Sequence, residues 1–365
     1  MIKKLLLFFV LISLQSGLAQ NAVLSNNSKV SVLTCGTGPE TYAMYGHTGI
    51  RIQDASIGID VVYNYGAFDF STPNFIGRFV KGDLQYFVTN TNYADFFDSY
   101  LADNREILEQ ELQLDLNQKN ELFQQLNASI YSEDKYYTYK FIDRNCTTMV
   151  VDKINTTLGK EYIQSKTTDL TYREILYPYM SDFYMKLGIQ LIFGAKVDAP
   201  ASRLFLPYEF NKALSQTKVQ EKPIVRTSDT ILQVNKTQIP FSFWNSIYSL
   251  ISLVILLALI GKKWIQICYF GLAGLLGIFF SLVGMYSQHE EILWNYNILL
   301  FNPLLLVYAW MVWKGKTKGS KLFAKIILGG LTLYVVYMLN KIHLQIVWPL
   351  IVLHAYWLSK EVLKK

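Results

Sequence analysis

From residue 241 to its end the chain is dominated by apolar runs, and this limits the folds open to it more than any other feature. The runs cover residues 243–260, 264–286, 298–313, 322–340 and 346–358. A helix needs about 20 apolar residues to cross a hydrocarbon core ~30 Å thick, and shorter runs must borrow flanking residues. The pattern predicts an all-α transmembrane bundle of about five helices over 241–365. The whole composition agrees: 51% of residues are hydrophobic and 17% charged. Cys268 lies inside the second run and reads as a small hydrophobe.

Lysine placement orients the bundle. Lys262 and Lys263 separate the first and second runs, Lys314, Lys316, Lys318 and Lys321 the third and fourth, and Lys360, Lys364 and Lys365 follow the fifth. With five spans these sites share one side, and lysine-rich loops are cytoplasmic. The loop at 287–295 carries Glu290 and Glu291 and no lysine. The C-terminus is therefore expected in the cytoplasm and the amino-terminal region outside. Residues 1–19 agree, with Lys3 and Lys4, an apolar core from Leu5 to Leu14 and small residues at Gly17-Leu18-Ala19, the pattern of a signal peptide. The expected location is a bacterial inner membrane, multi-pass, with residues 20–240 forming a periplasmic domain. The net charge of +6 does not form a compact basic and aromatic patch, so no nucleic acid is expected as a partner.

Within 20–240 the informative stretch is Tyr139-Lys140-Phe141-Ile142-Asp143-Arg144-Asn145-Cys146-Thr147-Thr148-Met149-Val150. Tyr137, Tyr139 and Phe141 alternate with polar residues, which suits an extended entry. After Cys146 the apolar positions Met149, Val150, Ile154 and Leu158 recur at helical spacing, and Gly159 follows as a stop. Cys146 thus falls at a helix N-terminus, where unpaired N–H groups and the macrodipole favour a thiolate. A nucleophilic cysteine needs that placement; a buried structural cysteine is the other reading. Far upstream, Tyr45-Gly46-His47-Thr48-Gly49-Ile50-Arg51-Ile52 reads as a strand opening at a histidine. A turn over 54–58 leads to a returning strand at 59–66. His47 is a candidate general base. Cys35 shares the oxidising compartment, so a Cys35–Cys146 disulfide competes with the nucleophile reading. Further on, a short helix or turn is expected over 72–82, strands over 84–89 and 106–116, helices over 93–103 and 118–131, and a linker or edge segment over 216–238.

Gly46-His47 on a strand with Asn145-Cys146 opening a helix resembles the permuted papain-like arrangement of circularly permuted NlpC/P60 proteins. Four ordered stretches carry a closer resemblance: Leu33-Thr34-Cys35-Gly36-Thr37-Gly38-Pro39-Glu40, the His47 motif, Tyr63-Asn64-Tyr65-Gly66-Ala67-Phe68-Asp69-Phe70 and the Asn145-Cys146 segment. Together they resemble the Lnb family of Bacteroidota, from about residue 30 to the C-terminus. The resemblance implies a fold class: an α+β permuted papain-like periplasmic domain followed by the transmembrane bundle. It also implies an activity, a cysteine-dependent lipoprotein N-acyltransferase with a phospholipid as acyl donor and a diacylated lipoprotein as acceptor. Cys146 would be the nucleophile and His47 its base. In papain-like folds the residue orienting the histidine comes from the next strand, which makes Asn64 the first choice ahead of Tyr63, Asp60 and Asp69. Tyr63, Arg51 and Asn145 are supporting candidates inside or beside the matching motifs. The stretch from His289 to Leu304 resembles the corresponding loop and helix of Lnb membrane domains, and polar groups at membrane depth are often functional, so His289 and Asn297 join them. A membrane-anchored peptidoglycan endopeptidase and a non-catalytic scaffold closed by a Cys35–Cys146 bond are the alternatives. No phosphate loop and no clustered Cys/His ligands occur, so no cofactor or metal is expected.

Overall fold

A computed structural model of the chain describes residues 22–165, 169–234 and 240–364. The segment read as a signal peptide lies outside the described residues. Chain packing divides the molecule into two compact units that are not consecutive stretches of sequence. One comprises Met1–Pro73, Leu84–Lys166 and Ser202–Lys236, the other Asn74–Asp83, Thr167–Ala201 and Thr237–Lys365.

The first unit is built on an antiparallel sheet. Its strands are β1 (Lys29–Cys35), β2 (His47–Asp54), β3 (Ile59–Ala67), β4 (Gln85–Asn92), β5 (Ile107–Leu112), β6 (Tyr136–Thr138) and, after a two-residue ladder of β7 (Lys218–Val219) with β8 (Lys222–Pro223), β9 (Val225–Leu232). They lie in the order β6-β4-β3-β2-β1-β5-β9. Side chains alternate across a strand, so Val62 and its neighbour Tyr63 serve opposite faces. Val62 joins Leu33, Cys35 and Ile107 in a core closed by Phe96 and Tyr100 of the helix Tyr93–Ala102. Tyr63 and Tyr65 instead donate their hydroxyls to Asn127 and Ser129 of the helix Leu116–Tyr131, at 2.7 and 3.2 Å. A second helix, Cys146–Thr157, lies beside that one and packs on β2 and β3. The segment at 216–238 supplies the edge strand β9, paired with β5.

The second unit is helical. Numbering the helices of both units in chain order, α1 is Phe75–Lys81, α2 Tyr93–Ala102, α3 Leu116–Tyr131, α4 Cys146–Thr157, α5 Tyr172–Leu176, α6 Phe183–Ile192 and α7 Pro207–Gln216, of which α1, α5 and α6 belong to the second unit. The apolar third forms α8 (Ile247–Ile260), α9 (Lys263–Tyr286), α10 (Leu304–Trp313), α11 (Thr317–Met338) and α12 (Leu344–Leu363). The fold class is the one the resemblance implies: an α+β domain, then a helical membrane region. Among the described residues four segments are long and apolar enough to cross a membrane: Lys263–Tyr286, Glu290–Trp313, Thr317–Met338 and Leu344–Leu363. The first expected run yields only the 14 residues of α8, about 21 Å at 1.5 Å per residue, short of the hydrocarbon thickness. The third run is helical only from Leu304, because Asn302 and Pro303 interrupt it and the chain before them turns as short 3-10 helix. Cys268 is exposed on α9, facing outward from the bundle rather than into its core.

Candidate active site

The cysteine helix is capped by its own sequence. Asn145 is extended, and its side-chain oxygen accepts the N–H groups of Thr147 and Thr148 at 2.9 and 3.0 Å. The Thr148 hydroxyl answers by accepting the Asn145 N–H at 2.8 Å, a reciprocal capping box. The amide nitrogen of Asn145 donates to the carbonyls of Phe141 and Phe205 at 2.7 and 2.9 Å, so a buried side chain joins the loop before the helix to the chain before α7. Asn145 thereby consumes the second and third amides of the helix. Among the described residues no acceptor takes the first, the N–H of Cys146.

His47 opens β2, opposite Cys35 of β1. Two residues on, Gly49 stands opposite Asn64 of β3. A methyl group at Gly49 would approach Val62 to 2.9 Å and the Asn64 side-chain oxygen to 3.4 Å. Glycine there lets the Asn64 amide reach diagonally across the ladder, and its oxygen lies 3.1 Å from His47 Nε2. The amide nitrogen donates to the Val62 carbonyl at 3.2 Å, which fixes which end faces the histidine. With Nε2–H donated to Asn64, Nδ1 is the ring nitrogen left for the cysteine. The Cys146 thiol and the His47 ring lie near enough for each to shift the other's protonation.

Each member of this pair shifts the other's protonation. Burial alone would raise the Cys146 thiol; the charge and hydrogen bond of His47, with the Thr48 backbone and the Thr147 hydroxyl, outweigh it and hold the thiol below its ordinary value. Burial alone would lower His47; Cys146 and then Asn64 outweigh it and hold the ring above its ordinary value. Both displacements favour thiolate and imidazolium. Behind the sulfur the hydroxyls of Thr48 and Thr147 meet at 3.0 Å and tie β2 to α4.

All three cysteines are unpaired. Cys35, in the disulfide reading the partner of Cys146, is fully buried, and burial pushes its thiol up to about 12.

The remaining sequence candidates have other partners. Tyr63 donates to Asn127, away from His47. Arg51 grips Asp60 through Nε and a terminal nitrogen at 2.8 and 2.7 Å, reaches Glu109 at 3.1 Å and stacks on Tyr93 at 3.3 Å, bracing the sheet. Asp60 is consumed by Arg51, and Asp69 accepts from Ser71. Of the four residues considered for orienting the histidine, Asn64 is the one bonded to it among the described residues. His289 and Asn297 belong to the second unit. His289 Nε2 donates to the Phe79 carbonyl at 2.7 Å. Asn297, fully buried, donates to the Leu191 carbonyl at 3.0 Å and accepts from Tyr334 at 2.7 Å. Beside it Arg173, fully buried, holds Asp198 at 2.8 Å and the Gln190 side chain at 2.8 Å, and Asp198 also accepts from Tyr296 at 2.8 Å. These bonds fasten the polar loop before α10 onto α6 and its neighbours.

One residue near the cysteine escaped the sequence reading. The Tyr137 hydroxyl is buried with no hydrogen-bond partner among the described residues. A methyl on Gly66 would lie 3.8 Å from the Cys146 β-carbon and 3.9 Å from that hydroxyl, so both flank Gly66. Gly66 has φ of +95°, which favours glycine. Burial and then the nearby sulfur push the Tyr137 phenol up, so it keeps its proton and can only donate to an anion there. The alternation of Tyr137, Tyr139 and Phe141 signalled a strand but not which ring would face the cysteine.

Comparison with known families adds an independent line. The model of the Lnb N-terminal periplasmic domain matches residues 18–177, and that of the Lnb transmembrane domain matches residues 233–362. The chain belongs to the Lnb family. Both Lnb models occur in order and between them cover the cysteine, histidine and asparagine above and the helices α8 to α12 up to residue 362. No curated protein and no solved structure matches the chain. As a member of Lnb it is a membrane protein with a periplasmic amino-terminal domain.

Proposed function

We propose that this protein is a lipoprotein N-acyltransferase working through a thioester on Cys146. One observation carries the reading: a helix-start cysteine electrostatically coupled to a histidine that is itself hydrogen-bonded to an asparagine, in a chain with segments long and apolar enough to span a membrane. The thiolate attacks an ester carbonyl of a phospholipid. A carbon–sulfur bond forms, the carbon–oxygen bond breaks, and His47 gives its proton to the departing lysophospholipid hydroxyl. The α-amine of a diacylglyceryl-modified cysteine at a lipoprotein N-terminus then attacks the thioester. A carbon–nitrogen bond forms, the thiolate leaves, and His47 takes the amine proton. Asn64 orients the ring without adding charge. The Cys146 N–H and the Tyr137 hydroxyl serve as donors to the oxyanion of both tetrahedral intermediates.

The surroundings favour an acyl chain over a polar peptide. Phe68, which follows Gly66 by two residues, packs on Tyr42, Phe70 and Tyr86 with ring centroids 6.0, 4.9 and 5.4 Å apart, and Tyr86 stacks on Tyr139 at 4.5 Å. Tyr45, two residues before His47, meets Phe141 at 5.2 Å. Tyr42 and Phe70 remain more than half exposed. In this reading the protein sits in the inner membrane with its C-terminus in the cytoplasm. The test is purified protein in phospholipid, with and without a diacylated lipoprotein. A hydroxylamine-sensitive acyl adduct on the Cys146 peptide without acceptor, and triacylated product with it, are expected. Absence of the adduct together with cleavage of muropeptides would replace the proposal by the endopeptidase reading.

A further inference from the structure

The second unit presents a short helix whose surroundings give it a place relative to the bilayer. α1 carries Ile76, Phe79 and Val80 on one stripe at helical spacing, and they are 77%, 49% and 40% exposed. Water is a poor neighbour for so much apolar surface on seven residues. The helix is fastened at its C-terminal end to the end of the span α9. The Ser287 hydroxyl donates to the Val80 carbonyl at 2.9 Å, the Gln288 N–H to the Lys81 carbonyl at 2.6 Å and His289 Nε2 to the Phe79 carbonyl at 2.7 Å. These bonds satisfy carbonyls that a helix end leaves open. They also hold α1 at the level of Tyr286, the last residue of α9.

That level can be read from side chains. Aromatic residues mark both interfaces of a membrane. Trp264, near the first residue of α9, is 62% exposed on the lysine-rich side, and Tyr286 at the other end is 60% exposed. Trp294, in the loop that follows, is 86% exposed. The outward-facing apolar surface of α9 continues through Leu282 and Met285 up to this end. α1 adds Arg78 and Lys81 beside its apolar stripe, cations suited to lipid phosphates, with Lys81 also paired to Asp83 at 2.6 Å.

We infer that α1 is an in-plane membrane element whose Ile76, Phe79 and Val80 enter the boundary between head groups and acyl chains at the non-lysine end of α9. Its partner is the phospholipid surface itself. This inference does not depend on what Cys146 does.

Site-directed spin labelling of the full chain tests it, in nanodiscs of phosphatidylethanolamine and phosphatidylglycerol. The background is Cys146→Ser with Cys268→Ser; Cys35 is fully buried and stays unlabelled. The label goes to Ile76→Cys, with Asp98→Cys on the exposed side of α2 as the aqueous reference and a chain retaining Cys268 on α9 as the membrane reference. At position 76 we expect relaxation by oxygen to exceed relaxation by a water-soluble nickel chelate, as at position 268 and opposite to position 98. Relaxation dominated by the nickel chelate would overturn the inference by placing α1 in water. Shielding from both agents would overturn it by showing the stripe covered by protein.

Discussion

His47 does two things to Cys146 that a single substitution separates from the fold. It supplies the positive charge that lowers the thiol, and it is the base in the proposed chemistry. Iodoacetamide labelling of Cys146 should therefore titrate below the ordinary thiol range. The His47→Ala variant should move the inflection up, because burial, which acts the other way, is then unopposed by its main counterweight. In the acyl-transfer assay His47→Ala is expected to cost roughly 10²–10⁴ in rate, the scale of a lost general base. Asn64→Ala should cost less, since packing still holds part of the ring orientation. Tyr137→Phe removes only the unpartnered hydroxyl, so stability should hold while turnover falls at unchanged KM. Equal turnover in Tyr137→Phe would remove Tyr137 from the mechanism. Gly66→Ala should fail more broadly, since it places a side chain at φ of +95° in contact with the Cys146 β-carbon and the Tyr137 hydroxyl.

At the scale of elements, α4 depends on one cap. Asn145 holds two helix amides and two distant carbonyls, and it is buried. An ordinary cap is worth about 1 kcal/mol; here Asn145→Ala also removes the donors to the Phe141 and Phe205 carbonyls, so the loss should exceed that of an ordinary cap. Denaturant unfolding of the periplasmic domain should register a loss at the upper end of single-residue effects. The Asn145→Asp variant keeps the acceptor for the helix amides but loses both donors, so it should recover only part. Full recovery by aspartate would mean that the bonds to Phe141 and Phe205 contribute nothing.

The whole molecule raises the question of how many times the chain crosses. Among the described residues four segments have the length of a span, and α8 does not. With the amino-terminal domain outside, the lysine-rich loops face the cytoplasm only if α8 also crosses. Reporter fusions after Lys263, Asn295, Lys318 and Lys341 should then read inside, outside, inside and outside. Lys263 and Asn295 flank α9, Lys318 follows α10, and Lys341 follows α11. Two neighbouring fusions reporting the same side would break the alternation, and a periplasmic signal after Lys263 would mean that α8 does not cross.

Much of this was legible in the chain because the signals are local. Apolar runs and their lysines mark the membrane half, since the cost of burying charge in lipid is paid residue by residue. The helix start at Cys146, the strand start at His47 and the returning strand with Asn64 follow from periodicity and turn residues. What periodicity cannot specify is which side chains meet. The diagonal from Asn64 to His47 exists because Gly49 clears the ladder, and the orphaned Tyr137 hydroxyl faces Gly66 only once β6 has joined the sheet. Residues 74–83 lie in the middle of the amino-terminal sequence yet pack with the membrane helices, and His289 and Asn297, which look chemical in a list of polar residues, are held by backbone carbonyls from other segments. Those pairings are long-range, and they are decided by the tertiary packing that brings distant backbone groups into hydrogen-bonding reach.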